Sequence, residues 1–167
     1  MEVLKGYTEV IGYTLVDREL YSTLSKYRWH MWNNFGRFYV YRYTGGRSNK
    51  RKLYLADEVS PIPPDKYYND HWNRDTLDNR KENLRPATMG ENSCNREKYN
   101  NNGSKYKGVE PIGRQWRAKI THNKKFISIG YFATEIEAAL AYDKAAIELH
   151  GEFASVNFPE GMKEVAI

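Results

Sequence analysis

Between Asn69 and Asn92 the chain reads NDHWNRDTLDNRKENLRPATMGEN, which sets a carboxylate, Asp70, directly beside an imidazole, His71, with further amides at Asn83 and Asn92. Hydrolysis of a phosphodiester needs a base for the attacking water, counter-charge for the phosphoryl oxygens and stabilisation of the departing 3′ oxygen. One histidine and one hard cation can provide all three. Oxygen donors from Asp70 and Asn92 suit Mg²⁺ or Mn²⁺ better than Zn²⁺, because they leave positions open for water and phosphate, and Mg²⁺ is the expected ion. An Asp-His pair by itself is usually an ordinary surface pair. The two amides in register, together with Asp78-Asn79-Arg80 and Asn83-Leu84-Arg85, give this segment its weight. Neighbouring strand side chains point to opposite faces, so Asp70 and His71 need a twisted or bent strand end to meet at one phosphorus.

The elements that must position these residues follow from patterning. Tyr7 to Val16 reads as one or two short strands, and Asp17 is placed to cap a short helix carrying Leu20, Leu24 and Tyr27. Tyr27, Trp29 and Met31 alternate as a strand, Asn33-Asn34-Phe35-Gly36 supplies a turn, and Phe38 to Tyr41 returns as a hairpin. Gly45 to Lys52 reads as a flexible basic loop, and the prolines of Ser60 to Pro64 break regular structure. Tyr67 to His71 is expected as a strand, a second short strand lies near Leu84, and Thr88 with Glu91 opens a helix over about 89–98 that carries Asn92.

The polar stretch Asn95 to Ser104 reads as a linker. Beyond it, SKYKGV, RQWRAKI and FISIGYF are three strand-like pieces separated by Pro111-Ile112-Gly113 and His122-Asn123-Lys124. Thr134 with Glu137 caps a helix from Glu135 to His150, and Gly151 ends it. Trp116, Ala118 and Ile120 share one face, suited to the alanine stripe of that helix, and Arg117, Lys119 and Thr121 share the other. In the next strand Ile127 and Ile129 point inward while Phe126 and Ser128 join the charged face.

Composition sets the bounds. The chain has 167 residues, 40% of them hydrophobic, with 14 Tyr, four Trp, six Phe and a net charge of +5. Two small aromatic-rich domains fit that length. Residues 96–133 carry nine Lys and Arg against two acidic residues, whereas 134–167 carry two against seven, so the C-terminal module offers one face to a polyanion. The single cysteine, Cys94, excludes an internal disulfide or a cysteine zinc site and reads as a small helix residue. His30, His122 and His150 read as structural or solvent-exposed. No apolar run reaches membrane-spanning length and the N-terminus lacks a signal-peptide core, so a cytoplasmic protein is expected.

The Asp70-His71, Asn83 and Asn92 constellation resembles the HNH endonuclease motif in its His-Asn-Asn form, as found in phage and bacterial homing endonucleases. That resemblance implies a ββα-metal module with His71 and Asn83 catalytic, Asp70 and Asn92 on the metal, and Asn83 tying down the loop after His71 so that the imidazole is oriented. Tyr106-Lys107-Gly108-Val109, Trp116-Arg117-Ala118-Lys119-Ile120, Ile129-Gly130-Tyr131-Phe132, Glu137 to Asp143 and Val156-Asn157-Phe158-Pro159 resemble the APETALA/ethylene-response-factor type DNA-binding domain. Its members lay a three-stranded sheet in the major groove with a helix packed behind, and often carry arginines where this chain has Glu110 and Lys119.

The expected fold is therefore α+β. Residues 1–98 form a β-rich segment plus nuclease module with its motif at 67–98, residues 99–104 a linker, and 105–160 a three-stranded antiparallel sheet on one helix. The expected function is a site-specific, homing-type, phage-encoded or bacterial endonuclease acting on double-stranded DNA, without a protein partner and as a monomer. Lys107, Arg114, Lys124 and Lys125 would meet phosphates, Arg117, Lys119 and Thr121 base edges, and Arg80 and Arg85 would add contacts near the cleavage site. The alternatives are an inactive DNA-binding regulator and an RNA binder that stacks bases on its rings.

Overall fold

At His30 and Trp32, and again at Tyr39, Tyr41 and Tyr43, rings recur at every second position, the period of a strand with two unlike faces. In the computed structural model the stretch from His30 to Tyr54 is a three-stranded antiparallel sheet, β3 (His30–Asn34), β4 (Arg37–Thr44) and β5 (Arg51–Tyr54). Phe35 and Gly36 take positive φ angles of 51° and 87° between β3 and β4, and Asn33 Oδ1 accepts the Gly36 amide at 2.8 Å. This is the expected hairpin turn. The structure describes residues 1–5, 9–62, 67–97 and 103–159, and it divides into two compact units, Met1–Met89 and Gly90–Ile167.

In the first unit, β1 (Glu2–Lys5) and β2 (Glu9–Tyr13) pair antiparallel, and α1 (Arg18–Leu24) follows. Tyr7, expected in the first strand, lies outside the described residues. Asp17 stands at the N-cap position of α1 without a side-chain bond to the helix, because its carboxylate instead accepts the Lys81 amide at 2.9 Å. Tyr27 falls past the end of α1, and β3 begins only at His30, since the Trp29 indole turns inward to donate to the Leu24 carbonyl at 2.8 Å. The basic loop is shorter than the sequence suggests. Arg51 and Lys52 belong to β5, paired with Thr44 and Tyr43. A short helix, α2 (Leu55–Val59), was not expected at all. Its Leu55, Ala56 and Val59 join Leu24, Trp29, Val40 and Leu84 in the core, and Glu58 grips Arg42 of β4 at 2.7 and 3.0 Å.

The hairpin that carries Asp70 and His71 is β6 (Tyr68–His71) with β7 (Leu84–Ala87), in antiparallel register with Asp70 opposite Arg85 and His71 opposite Leu84. The Asn69 amide clamps the start of β6 to α2, donating to Ala56 O, Asp57 Oδ1 and Ser60 O within 3.2 Å. The helix α3 (Met89–Cys94) follows β7 and ends four residues earlier than expected. Most of the expected linker, residues 98–102, lies outside the described residues.

In the second unit the sheet order is β10 (Lys125–Phe132), β9 (Gln115–His122), β8 (Val109–Ile112), with α4 (Glu135–His150) packed on it. β8 begins at Val109, so Ser104 to Gly108 is not strand, and Pro111-Ile112, expected as a separator, lies inside β8. Pro111 and Ile112 pair with Trp116 and Gln115 at the sheet edge, where a missing amide donor is tolerated. The capping box is present, with Thr134 Oγ1 accepting the Glu137 amide at 3.2 Å and Glu137 Oε2 accepting the Thr134 amide at 3.0 Å. Ala138, Ala139 and Ala146 are fully buried, and such small side chains let α4 lie close on Val109, Ala118 and Ile120. Gly108, at φ 73°, sits beneath Tyr142: a Cβ there would fall 2.0 Å from the ring. Buried Asp143 accepts the amides of Asn157 and Phe158 at 2.7 and 2.9 Å and fastens the chain that returns after α4. The chain is α+β, as expected.

Candidate active site and nucleic-acid interface

The turn leaving β6 brings a dense polar web around His71. Asp70 is 4% exposed and His71 7%, an unusual degree of burial for two groups that can both carry charge. Asp70 Oδ2 accepts Arg85 Nε at 2.9 Å across the two strands, and Arg85 Nη2 lies 2.9 Å from the same oxygen as an ion pair. His71 instead meets the amide of Asn79, with Nε2 and Oδ1 3.1 Å apart.

The proton positions along that contact follow from its far end. A backbone carbonyl can only accept, so Thr14 Oγ1 donates to Leu77 O at 2.6 Å and accepts Asn79 Nδ2 at 2.9 Å. The Asn79 amide nitrogen also faces Thr76 O at 3.3 Å, so its oxygen must be turned toward His71. Oδ1 accepts, and His71 Nε2 therefore holds the proton. The basic lone pair then belongs to Nδ1. Burial pushes the His71 pKa below its usual 6.5, against opposing contributions from the Asn79 bond and the carboxylates of Asp70, Asp75 and Asp78, which favours the neutral imidazole.

Asn83 holds both sides of the loop. Its Oδ1 accepts the Asn73 amide at 2.9 Å and its Nδ2 donates to Asp78 O at 2.7 Å, while its own carbonyl accepts the Trp72 amide at 2.8 Å. Asp78, buried, is gripped by Arg80 through Nε at 2.8 Å and Nη2 at 2.7 Å and receives Asn73 Nδ2 at 3.0 Å. The Arg80 guanidinium is the largest cause holding the Asp78 carboxyl below its ordinary pKa. From outside the loop, Leu15 exchanges backbone bonds with Leu77 and Asn79 at 2.8 and 2.9 Å. Residues 14–17 are thus a strap across residues 77–81.

Residue type and spacing assign Asn79 and Thr14 no role, although Asn79 belongs to the Asp78-Asn79-Arg80 triplet. Its distance of eight residues from His71 was the available signal, and only loop closure turns that distance into contact. Asn92 stands on α3 in the second unit, half-buried. Its neighbour Cys94 is also half-buried, with Sγ 3.2 Å from Gly90 O, and burial raises its thiol pKa.

The second unit carries the other chemistry. One face of its sheet presents Glu110, Arg117 and Lys119, with Phe126 and Tyr131 exposed beside them. Glu110 accepts Arg117 Nε at 2.8 Å and is also bonded by Arg117 Nη2 and Lys119 Nζ, with the Lys119 contact the largest cause depressing its pKa. Phe126 lies 5.5 Å from the Arg117 guanidinium and 5.9 Å from Lys119 Nζ. Ile127, expected to point inward, pairs with buried Ile120 yet is more than a third exposed on the edge strand β10. Thr121, Arg114, Lys124 and Lys125 are exposed on this strand and at the two turns, and Asn123 and Lys124 take positive φ angles of 49° and 62°. Lys107 differs from an outward-reaching lysine: its ammonium donates to Cys94 O at 2.7 Å and Arg96 O at 2.6 Å. Together with Arg80 and Arg85, its charge is already committed inside its own unit.

Comparison with known proteins follows the same division. No family model matches the chain. An HNH endonuclease of Acanthamoeba polyphaga mimivirus is 32% identical over 147 residues, which is 87% of this chain and 74% of the viral protein. APETALA2-like protein 2 of Oryza sativa subsp. indica is 48% identical over 59 residues, and dehydration-responsive element-binding protein 2E of Arabidopsis thaliana is 43% identical over 53. These stretches are 33% and 32% of this chain but only 13% and 21% of the plant proteins. Likeness to the viral protein along most of both chains, with the Asp70-His71 hairpin built as described, shows that this chain belongs to the HNH endonuclease family.

Proposed function

We propose that the protein is a site-specific DNA endonuclease of the homing type, with residues 1–98 cutting and residues 105–160 selecting the target in duplex DNA. The observation that carries the catalytic half is the proton polarity running from Leu77 O through Thr14 and Asn79 to His71, which supports Nδ1 of a neutral imidazole as the base. His71 Nδ1 takes the proton of the attacking water, and Asn83 keeps the loop that presents it in one shape.

The residues proposed to hold a divalent cation are Asp70 and Asn92, and their chemistry fits Mg²⁺ or Mn²⁺. One carboxylate and one amide are hard oxygen donors, which suit these ions. When bound, such a cation supplies charge neutralisation at the phosphoryl oxygens. Arg85, paired with Asp70, fixes the carboxylate.

On the reading side, Arg114, Lys124 and Lys125 meet phosphates, and Arg117, Lys119 and Thr121 address base edges from the exposed sheet face. Likeness to plant proteins named as element-binding or APETALA2-like supports this half. The full chain is incubated with supercoiled plasmid and Mg²⁺; nicked or linear product that disappears with His71→Ala is the expected result. Plasmid left intact while duplex DNA is still bound would favour an inactive DNA-binding regulator.

A further inference from the structure

The outer face of the first unit's three-stranded sheet has a composition that its folding does not require. His30 and Trp32 of β3, Tyr39, Tyr41 and Tyr43 of β4 and Tyr54 of β5 form a connected pavement of rings, with neighbouring centroids 5.4 to 6.4 Å apart. Core packing uses the opposite face, where Val40 and Leu55 are buried. Trp32 is 40% and Tyr43 41% exposed, although rings of this size are ordinarily well covered. Lysines lie on the pavement: Lys50 Nζ is 3.7 Å from the Tyr43 centroid, and Lys52 Nζ is 4.5 Å from Tyr41 and 5.2 Å from Trp32. Between His30 and Ala56 there are six Lys and Arg and no Asp or Glu.

From this juxtaposition we propose that the aromatic and lysine face of β3, β4 and β5 is a binding surface for single-stranded DNA, distinct from the cleavage site and from the C-terminal sheet. A polyanion is the occupant that a face built from an acid-free, basic segment attracts, and exposed rings add stacking, which any base can use. Bases in a duplex already stack on one another at a rise of about 3.4 Å and present only their edges, so they cannot cover rings set apart as these are. An unpaired strand can. On binding, a base takes the lysine's place over Trp32 or Tyr43, and the displaced ammonium turns to the adjacent phosphate, exchanging a cation–π contact for a stacked base and an ion pair. That the strand is DNA rather than RNA rests on the nuclease reading above.

The test uses the full chain carrying His71→Ala, so that binding is measured without cleavage, with fluorescent oligo-thymidine, a mixed-sequence DNA duplex and oligo-uridine as probes. Trp32→Ala with Tyr43→Ala should weaken oligo-thymidine binding about tenfold and leave the duplex within about twofold. Trp32→Phe with Tyr43→Phe should retain most of the affinity, and Lys50→Ala with Lys52→Ala, both at exposed positions, should lower it and flatten its dependence on salt. Oligo-thymidine should also quench tryptophan fluorescence in the parent chain, by an amount that falls in Trp32→Phe. Unchanged oligo-thymidine binding in the alanine and lysine variants, an equal loss on the duplex, or tighter binding of oligo-uridine would each overturn the proposal. If the alanine pair fails to fold, the quenching and the lysine pair decide. A chain that cuts no plasmid leaves these measurements intact, so the two readings fail separately.

Discussion

The hairpin around His71 and the exposed sheet face around Glu110 both gather charged side chains, and they do so in opposite ways. Around His71 the groups are mostly buried, and the Thr14, Asn79 and Asn83 donors end on backbone carbonyls that cannot rotate or ionise. Around Glu110 the groups are side-chain tips on a half-exposed surface, held by one carboxylate that, on the proposed function, a groove of bases can replace. A catalytic base needs one orientation at all times, so a rigid polar web suits it. A reader must trade its partners for bases and phosphates, so its charges are parked rather than locked.

The sharpest way to break this comparison is to remove the proposed base itself. His71→Ala should lower the plasmid-nicking rate by about 10³-fold, within the usual range for a general base, while duplex affinity measured by anisotropy stays within about twofold. Full-rate nicking would take His71 out of the chemistry. Next in size, Asn79→Ala removes the acceptor that sets the His71 tautomer and should slow nicking by about 10 to 100-fold, as loss of a histidine's hydrogen-bonded partner commonly does. Thr14→Val should do less, and loss of duplex binding in either variant would mean that the web supports the fold rather than the imidazole.

Gly108→Ala probes the frame of the reader. Its Cβ would enter the Tyr142 ring, so the second unit should lose about 2 to 3 kcal/mol, seen as a lower midpoint in thermal unfolding. A smaller effect is expected from Glu110→Gln, which keeps an oxygen acceptor but frees the charges of Arg117 and Lys119. Duplex binding should tighten by about threefold and its salt dependence steepen by up to about two ions. Weakened binding would show that the carboxylate itself touches DNA, for instance a cytosine amino group.

The smallest effect concerns acid stability. Asp78 has its pKa depressed by Arg80, so below about pH 5 the unfolded chain takes up the proton first and stability falls with pH until the folded-state value is passed. Asp78→Asn should flatten that fall in urea unfolding, and an unchanged slope would show that the Asp78–Arg80 pair does not govern acid unfolding.

Much of the molecule could be read before folding. The Asn33 to Gly36 turn, the Thr134–Glu137 box and the helix stop at Gly151 depend on local backbone chemistry, and all three are present in the structure. The alternation in β9 also held, with Ala118 and Ile120 buried beneath Arg117 and Lys119. Other readings failed where distant contacts override local preference. Asp17 leaves its helix for the Lys81 amide, β5 forms because β4 offers it an edge, and α2 folds because the core accepts Leu55, Ala56 and Val59. Asp17 and Lys81 are 64 residues apart, and the core that receives α2 draws on residues as distant as Leu24 and Leu84.

By itself the sequence determined which chemistry was available: a carboxylate beside an imidazole, amides at set distances, and a basic stretch followed by an acidic one. Those are properties of side-chain type and spacing, and they survive any arrangement of the chain. Tertiary structure alone decided which nitrogen of His71 holds its proton, which arginines and lysines are committed to internal partners, and which aromatic rings remain uncovered. Each depends on groups brought together by loop closure and sheet pairing, across separations such as the 65 residues between Thr14 and Asn79, where spacing along the chain carries no information about distance in space.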